Sequence, residues 1–210
     1  GAGNPLRGIY AFATRAELFN TAALNGKMVS SDIDIRAVRT AAPDGNVTAK
    51  STCKSASDSV VGVSGCKAVL KGTEKAGSAK ASVGVSYGGA STDVQMRVWL
   101  PGAVKVQLSD PLLNAITGYK SKCDTKALRF QSAAILASTT FSAGALQVAG
   151  RVDHLVSFDS TDGKIATVVG RRVQGVAQGK FSVRARRGAG GGARARGGEA
   201  QGNAGGARHS

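Results

Sequence analysis

Aromatic residues and long apolar runs are scarce in this sequence. Only 5% of its 210 residues are aromatic, whereas apolar residues, mostly Ala and Val, make up 42%. Small side chains build a thin core, so we expect small β-sandwiches rather than one large domain. No apolar run reaches the 18 residues of a membrane-spanning helix, and no signal-like leader is present. Because the chain opens with Gly1 rather than Met, we expect an excised fragment whose missing parts hold any membrane anchor.

Residues with catalytic or metal-binding chemistry are also few. The chain has three Cys and two His, and no pair of them has the Cys-x-x-Cys spacing of a zinc site. Asp153, His154 and Ser157 lie in one alternating segment, whose side chains point to opposite faces, so they do not assemble a catalytic triad. Asp159 and Asp162 supply two carboxylates where calcium takes six or more oxygens, which favours a turn and strand cap. We therefore predict no enzyme activity, no cofactor and no metal site.

Charge is strongly one-sided, with a formal net charge of +15. An Arg/Gly tail after residue 183 carries part of this excess, but the body of the chain is basic in its own right. Such a charge attracts anionic partners, including nucleic acid, acidic glycans and lipid head groups, without choosing among them.

Short alternating runs separated by turn residues dominate the chain. The stretch "VSFDSTDGKIATVVGRRVQGVAQGKFSVRA", residues 156–185, predicts three or four short strands. Its expected inward-facing residues are Val173, Val176, Phe181 and Val183. Its glycines at 163, 170, 175 and 179 are expected in turns that need positive φ. The stretch 57–87 follows the same order of turns and strands, which indicates an internal repeat.

These patterns predict an all-β chain of two tandem sandwiches and a tail. The expected bounds are 5–100 for the first domain, 101–186 for the second and 187–210 for a disordered Arg/Gly/Ala tail. The boundary falls in "VWLPGAVKVQLSD", where Pro101 follows the strand ending near Trp99. The next segment, "DPLLNAITG", is expected to form one helical turn.

Four spaced landmarks resemble the middle ectodomain of the transmembrane protein 132 family, and the resemblance covers about residues 8–186. They are the segment Leu18–Lys27, the pair Cys53 and Cys66, Val98–Pro101, and Leu108–Gly118. The second domain also resembles bacterial immunoglobulin-like group 2 repeats. The resemblance implies immunoglobulin-like β-sandwiches in a single-pass membrane protein, on the extracellular side of the plasma membrane or secreted. It also implies a link to cell adhesion and to the actin cytoskeleton.

The cysteines and one Asn are candidates for covalent modification. With 12 residues between them, Cys53 and Cys66 fit a disulfide across a hairpin-like return, an interpretation that rests mainly on the family resemblance; the alternative is two buried free thiols. Cys123 is then left over, as a bystander or as half of a bond to a partner outside the fragment. Asn46 begins an Asn-Val-Thr triplet after a turn-rich stretch and is a glycosylation candidate if the chain is exported.

We therefore predict a non-enzymatic extracellular tandem that serves as a structural spacer and adhesion module. Its partners are expected to be proteins, either a second copy or other cell-surface or matrix proteins, with polyanions as a further possibility. Membrane attachment would come only through a segment absent from this fragment. The alternative is an intracellular RNA- or polyanion-binding protein that uses the basic body and tail. The structural anchors that we expect are Trp99, Pro101, Leu108, Asp110, Leu112 and Ile116.

Overall fold

The computed structural model describes residues 4–42, 44–116, 129–186 and 198–205. Almost all regular structure in these ranges is β-strand, so the all-β prediction is confirmed. The chain divides into two compact units. Of the described residues, 4–101 and 141–148 belong to the first unit, and the rest belong to the second. The division differs from the predicted single boundary in the segment 141–148.

The first unit is a sandwich of two sheets. Its elements are β1 (Leu6–Ala13), β2 (Glu17–Phe19), α1 (Ala22–Asn25), β3 (Val29–Arg39), β4 (Gly45–Asn46), a 3-10 turn (Thr48–Lys50), β5 (Thr52–Ser55), β6 (Gly62–Val63), β7 (Lys67–Leu70), β8 (Ser78–Tyr87) and β9 (Ala90–Pro101). Sheet A has the order β1-β3-β7-β6, and β4 pairs with β3 near the C-terminal end of that strand. Sheet B runs β5-β8-β9, with β2 parallel to β9.

Alternation along the strands builds the core of the first unit. In β3, Ile33, Ile35 and Ala37 are buried while the residues between them are more exposed, because successive side chains point to opposite faces. Val83 and Val85 of β8 are buried in the same cluster from the opposing sheet. The core is made almost wholly of Val, Ile, Leu, Ala and Met, as the scarcity of aromatic residues predicts.

The second unit is also built from two sheets. The remaining strands of the chain are β10 (Lys105–Leu108), β11 (Leu112–Asn114), β12 (Ser132–Ala143), β13 (Leu146–Arg151), β14 (Ser157–Ser160), β15 (Ala166–Val169), β16 (Arg172–Gly175), β17 (Gly179–Arg186) and β18 (Glu199–Gly205). One sheet of this unit runs β15-β16-β12-β10, and the other runs β11-β18-β17-β14. Residues 141–148, at the turn between β12 and β13, group with the first unit.

The prediction of a disordered tail is wrong for residues 199–205, which form β18. This strand lies between β17, to which it is antiparallel, and β11, to which it is parallel. Ala204 is buried, and a Cβ added at Gly202 would lie 2.3 Å from Cζ of Phe181. The small residues thus have a structural role, since the ring of Phe181 occupies the space that a side chain on β18 would need. Residues 187–197 and 206–210 of the predicted tail lie outside the described residues.

Several local predictions for the second unit also need correction. Within the segment expected as a helical turn, residues 112–114 form β11 instead, and Leu113 of this strand is buried. Val173, Phe181 and Val183 face inward as predicted, but Val176 is 48% exposed because it follows the end of β16. Among the four glycines, those at 170 and 179 have positive φ and those at 163 and 175 do not.

Candidate interaction surfaces

Cys53 and Cys66 form a disulfide that joins the two sheets of the first unit. Cys53 lies in β5 of sheet B, and Cys66 immediately precedes β7 of sheet A. Their Cα atoms are 5.2 Å apart, and both side chains pack against the hydrophobic core. The predicted hairpin geometry is therefore corrected, because the bond crosses between sheets rather than along one hairpin. The single leftover residue, Cys123, lies outside the described ranges.

Trp99 anchors an aromatic cluster within the first unit. The indole is 7% exposed, and its Nε1–H donates to Glu17 Oε1 at 2.7 Å. Phe19 stacks on it with ring centroids 5.5 Å apart, and Phe141 meets Phe19 edge-on at 5.2 Å. The guanidinium of Arg97 lies 5.8 Å from the indole centroid, in cation–π range. Sequence reasoning did not find Phe19 or Phe141, since no local pattern reveals that residues so far apart in the chain share one cluster.

Pro101 ends β9 and is buried. Its backbone lies opposite Phe141 in an antiparallel pairing with β12. A proline is accommodated here because, in the described strand pairings, its backbone has a neighbour on one side only, at Phe141 of β12.

The family landmark at Leu18–Lys27 folds into a tightly held turn around α1. Asn20 is fully buried, and its Oδ1 accepts from the backbone N–H of Ala23 while its Nδ2 donates to Glu74. Gly26 closes the helix in the left-handed conformation, with φ of 72°, which favours glycine. A Cβ added at Gly72 would lie 2.6 Å from the carbonyl oxygen of Ala22, so the two segments meet backbone to backbone. These contacts account for the residue types in Leu18–Lys27 by packing and hydrogen bonding, without a catalytic or ligand-binding role.

The predicted anchors of the second unit have different positions. Leu108 is partly buried at the end of β10, and Asp110 Oδ1 accepts from the backbone N–H of Leu112 at 2.8 Å. Leu112 and Ile116 are 51% and 42% exposed, so they do not act as core anchors. The correction follows from strand alternation, which turns the neighbouring Leu113 inward in place of Leu112.

Asn46 lies on the outer face of sheet A with its side chain exposed. Its Nδ2 donates to Asp34 Oδ1 at 3.0 Å, and its Oδ1 accepts from the backbone N–H of Thr48 at 3.0 Å. Thr48 Oγ1 accepts from the backbone N–H of Ile35 at 2.9 Å. The acceptor triplet is therefore at the surface, and its Thr also fixes the 3-10 turn to β3.

A buried carboxylate in the second unit is neutralised by two arginines. Asp153 is 6% exposed and accepts from Arg151 Nε at 3.0 Å and Arg171 Nη1 at 2.9 Å. Burial by itself would raise the pKa of Asp153, but the two guanidinium hydrogen bonds outweigh it and the pKa is lowered. His154 beside it is exposed. The carboxylate oxygens are thus occupied in a structural ion triad rather than aimed at the imidazole.

The two carboxylates that were candidates for calcium binding, Asp159 and Asp162, take part in an ion pair and a turn. Asp162 Oδ1 accepts from the backbone N–H of Lys164, and Asp159 Oδ2 pairs with Arg186 at 2.7 Å. In the described ranges, no group of three or more His, Cys, Asp or Glu is arranged to hold a metal ion. No helix within those ranges has the length and apolarity to span a membrane.

Two stacked sheets with a disulfide between them give the first unit the architecture of an immunoglobulin-like sandwich, and the second unit is also all-β. Residues 8–103 match the model of the TMEM132 fourth domain. The resemblance to the transmembrane protein 132 family that the sequence landmarks predict is therefore confirmed for these residues. The resemblance beyond residue 103, including that to bacterial group 2 repeats, stays a prediction.

Solved structures that align with this chain include the surface layer protein SbsC and Dscam1. Domains 1–6 of the surface layer protein SbsC align over 99% of this chain and 29% of that one, with 13% identity and a TM-score of 0.41. Domains 4 and 5 of SbsC align over 96% and 98% of the two chains, with 14% identity and a TM-score of 0.38. The four N-terminal immunoglobulin domains of Dscam1 isoform 8.4 align over 99% and 45%, with 10% identity and a TM-score of 0.32. The chain thus spans less than a third of the SbsC structure with domains 1–6.

Proposed function

We propose that this chain is a non-enzymatic part of an extracellular region, where its sandwiches act as a spacer and as an adhesion surface. The observation that carries the proposal is the disulfide between the two sheets of a TMEM132 fourth domain. Disulfides of this kind persist in oxidising compartments and are rare in the cytosol. The family is one of membrane proteins, which supports placement on the outer side of the membrane.

The spacer role is supported by how the side chains with reactive potential are used. Asp153 is held by two arginines, and the Trp99 indole is hydrogen-bonded to Glu17. These groups stabilise the sandwiches, and none of them lines a cleft with an activated nucleophile or base. A domain built in this way contributes length and an exposed surface to the extracellular region.

For the adhesive contact we propose the hairpin formed by β12 and β13. Strand β13 is exposed for most of its length, and Leu146 and Val148 are 43% and 40% exposed. In the described part of the chain, β13 pairs only with β12. An edge strand with apolar side chains offers both backbone groups and side chains to a partner, which suits strand addition to another extracellular domain.

Adhesion is tested with beads coated with the full chain and with cells that display candidate partners. We expect the beads to aggregate or to bind cells, and we expect Leu146→Lys or Val148→Lys to abolish that binding, because lysine on an edge opposes strand addition. The matched control is Met28→Lys, since Met28 is 61% exposed but lies in a loop. Equal binding by all three variants would refute the role of the hairpin, and an absence of both aggregation and cell binding would refute the adhesive function.

The second candidate function, polyanion binding, is favoured by the net charge of +15. It predicts binding to RNA or heparin that weakens steeply with salt, together with reduced cysteines in protein from its native source. A Cys53–Cys66 link in that protein would exclude the intracellular form of this function.

A further inference from the structure

One row of residues crosses three strands on the outer face of sheet A. Tyr10 of β1 lies opposite Arg36 of β3, and Arg36 lies opposite Asn46 of β4. Their neighbours Ala11, Ile35 and Ala37 face inward, so all three side chains of the row share the outer face. Tyr10 and Asn46 are therefore separated by two strand spacings, about 10 Å.

The side chains in this row are held in place. Arg36 donates from Nε and Nη2 to the two oxygens of Asp34 at 3.1 and 2.9 Å, and Asn46 Nδ2 donates to the same carboxylate. Desolvation raises the pKa of Tyr10, and the Asp44 carboxylate adds to this shift.

Two aromatic rings nevertheless stay open to solvent on this face. Tyr10 is 43% exposed and Phe12, in the neighbouring row opposite Asp34, is 48% exposed. In a chain with only nine Tyr and Phe residues, two of them are thus placed on an outer face beside a glycan acceptor triplet. An exposed aromatic pair next to a fixed amide is a platform for a ligand that has both an apolar face and hydroxyl groups.

We propose that Asn46 carries an N-linked oligosaccharide whose first sugars pack on the outer face of sheet A, over Arg36 and the ring of Tyr10. This inference rests on the proposed extracellular placement. A pyranose ring has an apolar C–H face that covers an aromatic ring and hydroxyl groups that reach Arg36 and Asp44. The first two sugars of such an oligosaccharide span the distance of two strands.

The modification is a glycosyl transfer at the side-chain amide. A bond forms between Asn46 Nδ2 and the anomeric carbon of N-acetylglucosamine, the bond from that carbon to a lipid diphosphate donor breaks, and the lipid diphosphate leaves. One of the two amide protons is lost in the transfer. One N–H remains on Nδ2, so the glycosylated amide keeps a donor for the Asp34 carboxylate.

The first test is non-reducing peptide mapping of the full chain from its native source, which scores the Cys53–Cys66 link and the Asn46 peptide separately. A linked pair with a glycan on Asn46 supports the inference. A linked pair with a bare Asn46 overturns the inference and leaves the extracellular function standing. Free thiols with a bare Asn46 overturn both.

The second test measures whether the sugar packs on Tyr10. The same sequence is made in glycosylating eukaryotic cells and in the bacterial periplasm, which avoids removing Thr48 and its hydrogen bond to β3. We expect the glycosylated form to unfold about 4 °C higher, and Tyr10→Ser to remove most of that difference. Met28→Ser, at another exposed apolar side chain, is expected to leave it unchanged. An equal glycan effect in Tyr10→Ser and in the parent would overturn the packing.

Discussion

Removing the bond between Cys53 and Cys66 gives the sharpest test of the first unit. The two residues are 13 apart in sequence, and closing a loop of that length in the unfolded chain corresponds to about 3 kcal/mol of stability. The loss applies to one sandwich of about 100 residues, so its midpoint temperature should fall by roughly 15 °C. The bond also joins the two sheets, so its removal takes away a covalent link between them and leaves core packing and hydrogen bonds to hold them together.

The assay is urea unfolding followed by tryptophan fluorescence. Trp99 is the only tryptophan of the chain and lies in the first unit, so its signal reports that unit alone. The double variant Cys53→Ala/Cys66→Ala and the reduced parent should be destabilised to the same extent, and the reductant should have no effect on the double variant. A decrease in the free energy of unfolding of less than about 1 kcal/mol, well under the loop-closure value, would refute the claim that the disulfide stabilises the sandwich.

Three further predictions concern the second unit. Gly202→Ala should destabilise it by about 1–3 kcal/mol through overpacking, whereas Gly163→Ala, where an added Cβ meets nothing within 4 Å, should have almost no effect in the same thermal unfolding assay. Because folding lowers the pKa of Asp153, its contribution to stability is present above the unfolded pKa and is lost as pH falls through the folded pKa. Asp153→Asn should therefore reduce the loss of stability that the parent shows as the pH is lowered. An equal loss in the variant and the parent would contradict the ion triad. Leu113→Ala should cost about 2–5 kcal/mol and Leu112→Ala less than about 1 kcal/mol, and equal losses in chemical denaturation would contradict the inward direction of Leu113.

Local alternation predicted much of the strand content, because period-2 burial is visible in sequence. The run from Ser157 to Arg186 forms β14 to β17, with Val173 and Val183 inward as expected. The landmarks that resemble the transmembrane protein 132 family were equally informative for residues 8–103.

What sequence could not reveal depends on contacts between distant segments. Strand β18 looks like a flexible Gly/Ala segment, and only its position beside Phe181 explains the glycine at 202. Likewise, the spacing of Cys53 and Cys66 is compatible with a hairpin. Only the structure shows that the two residues lie beside different sheets, so that the bond crosses the sandwich. The choice between Leu112 and Leu113 requires the strand register, which is set by pairing with β18.

The place of β18 in its sheet also constrains the order in which the second unit is completed. It is the last strand among the described residues, yet it lies in the interior of its sheet between β11 and β17. During synthesis, this sheet stays open until residue 205 has left the ribosome, and meanwhile β11 and β17 present unpaired backbone to the surroundings. Until its own β18 docks, a nascent molecule in that state presents a site that fits the equivalent strand of a neighbouring copy. Exchange of β18 between molecules is therefore a route to misassembly for this domain.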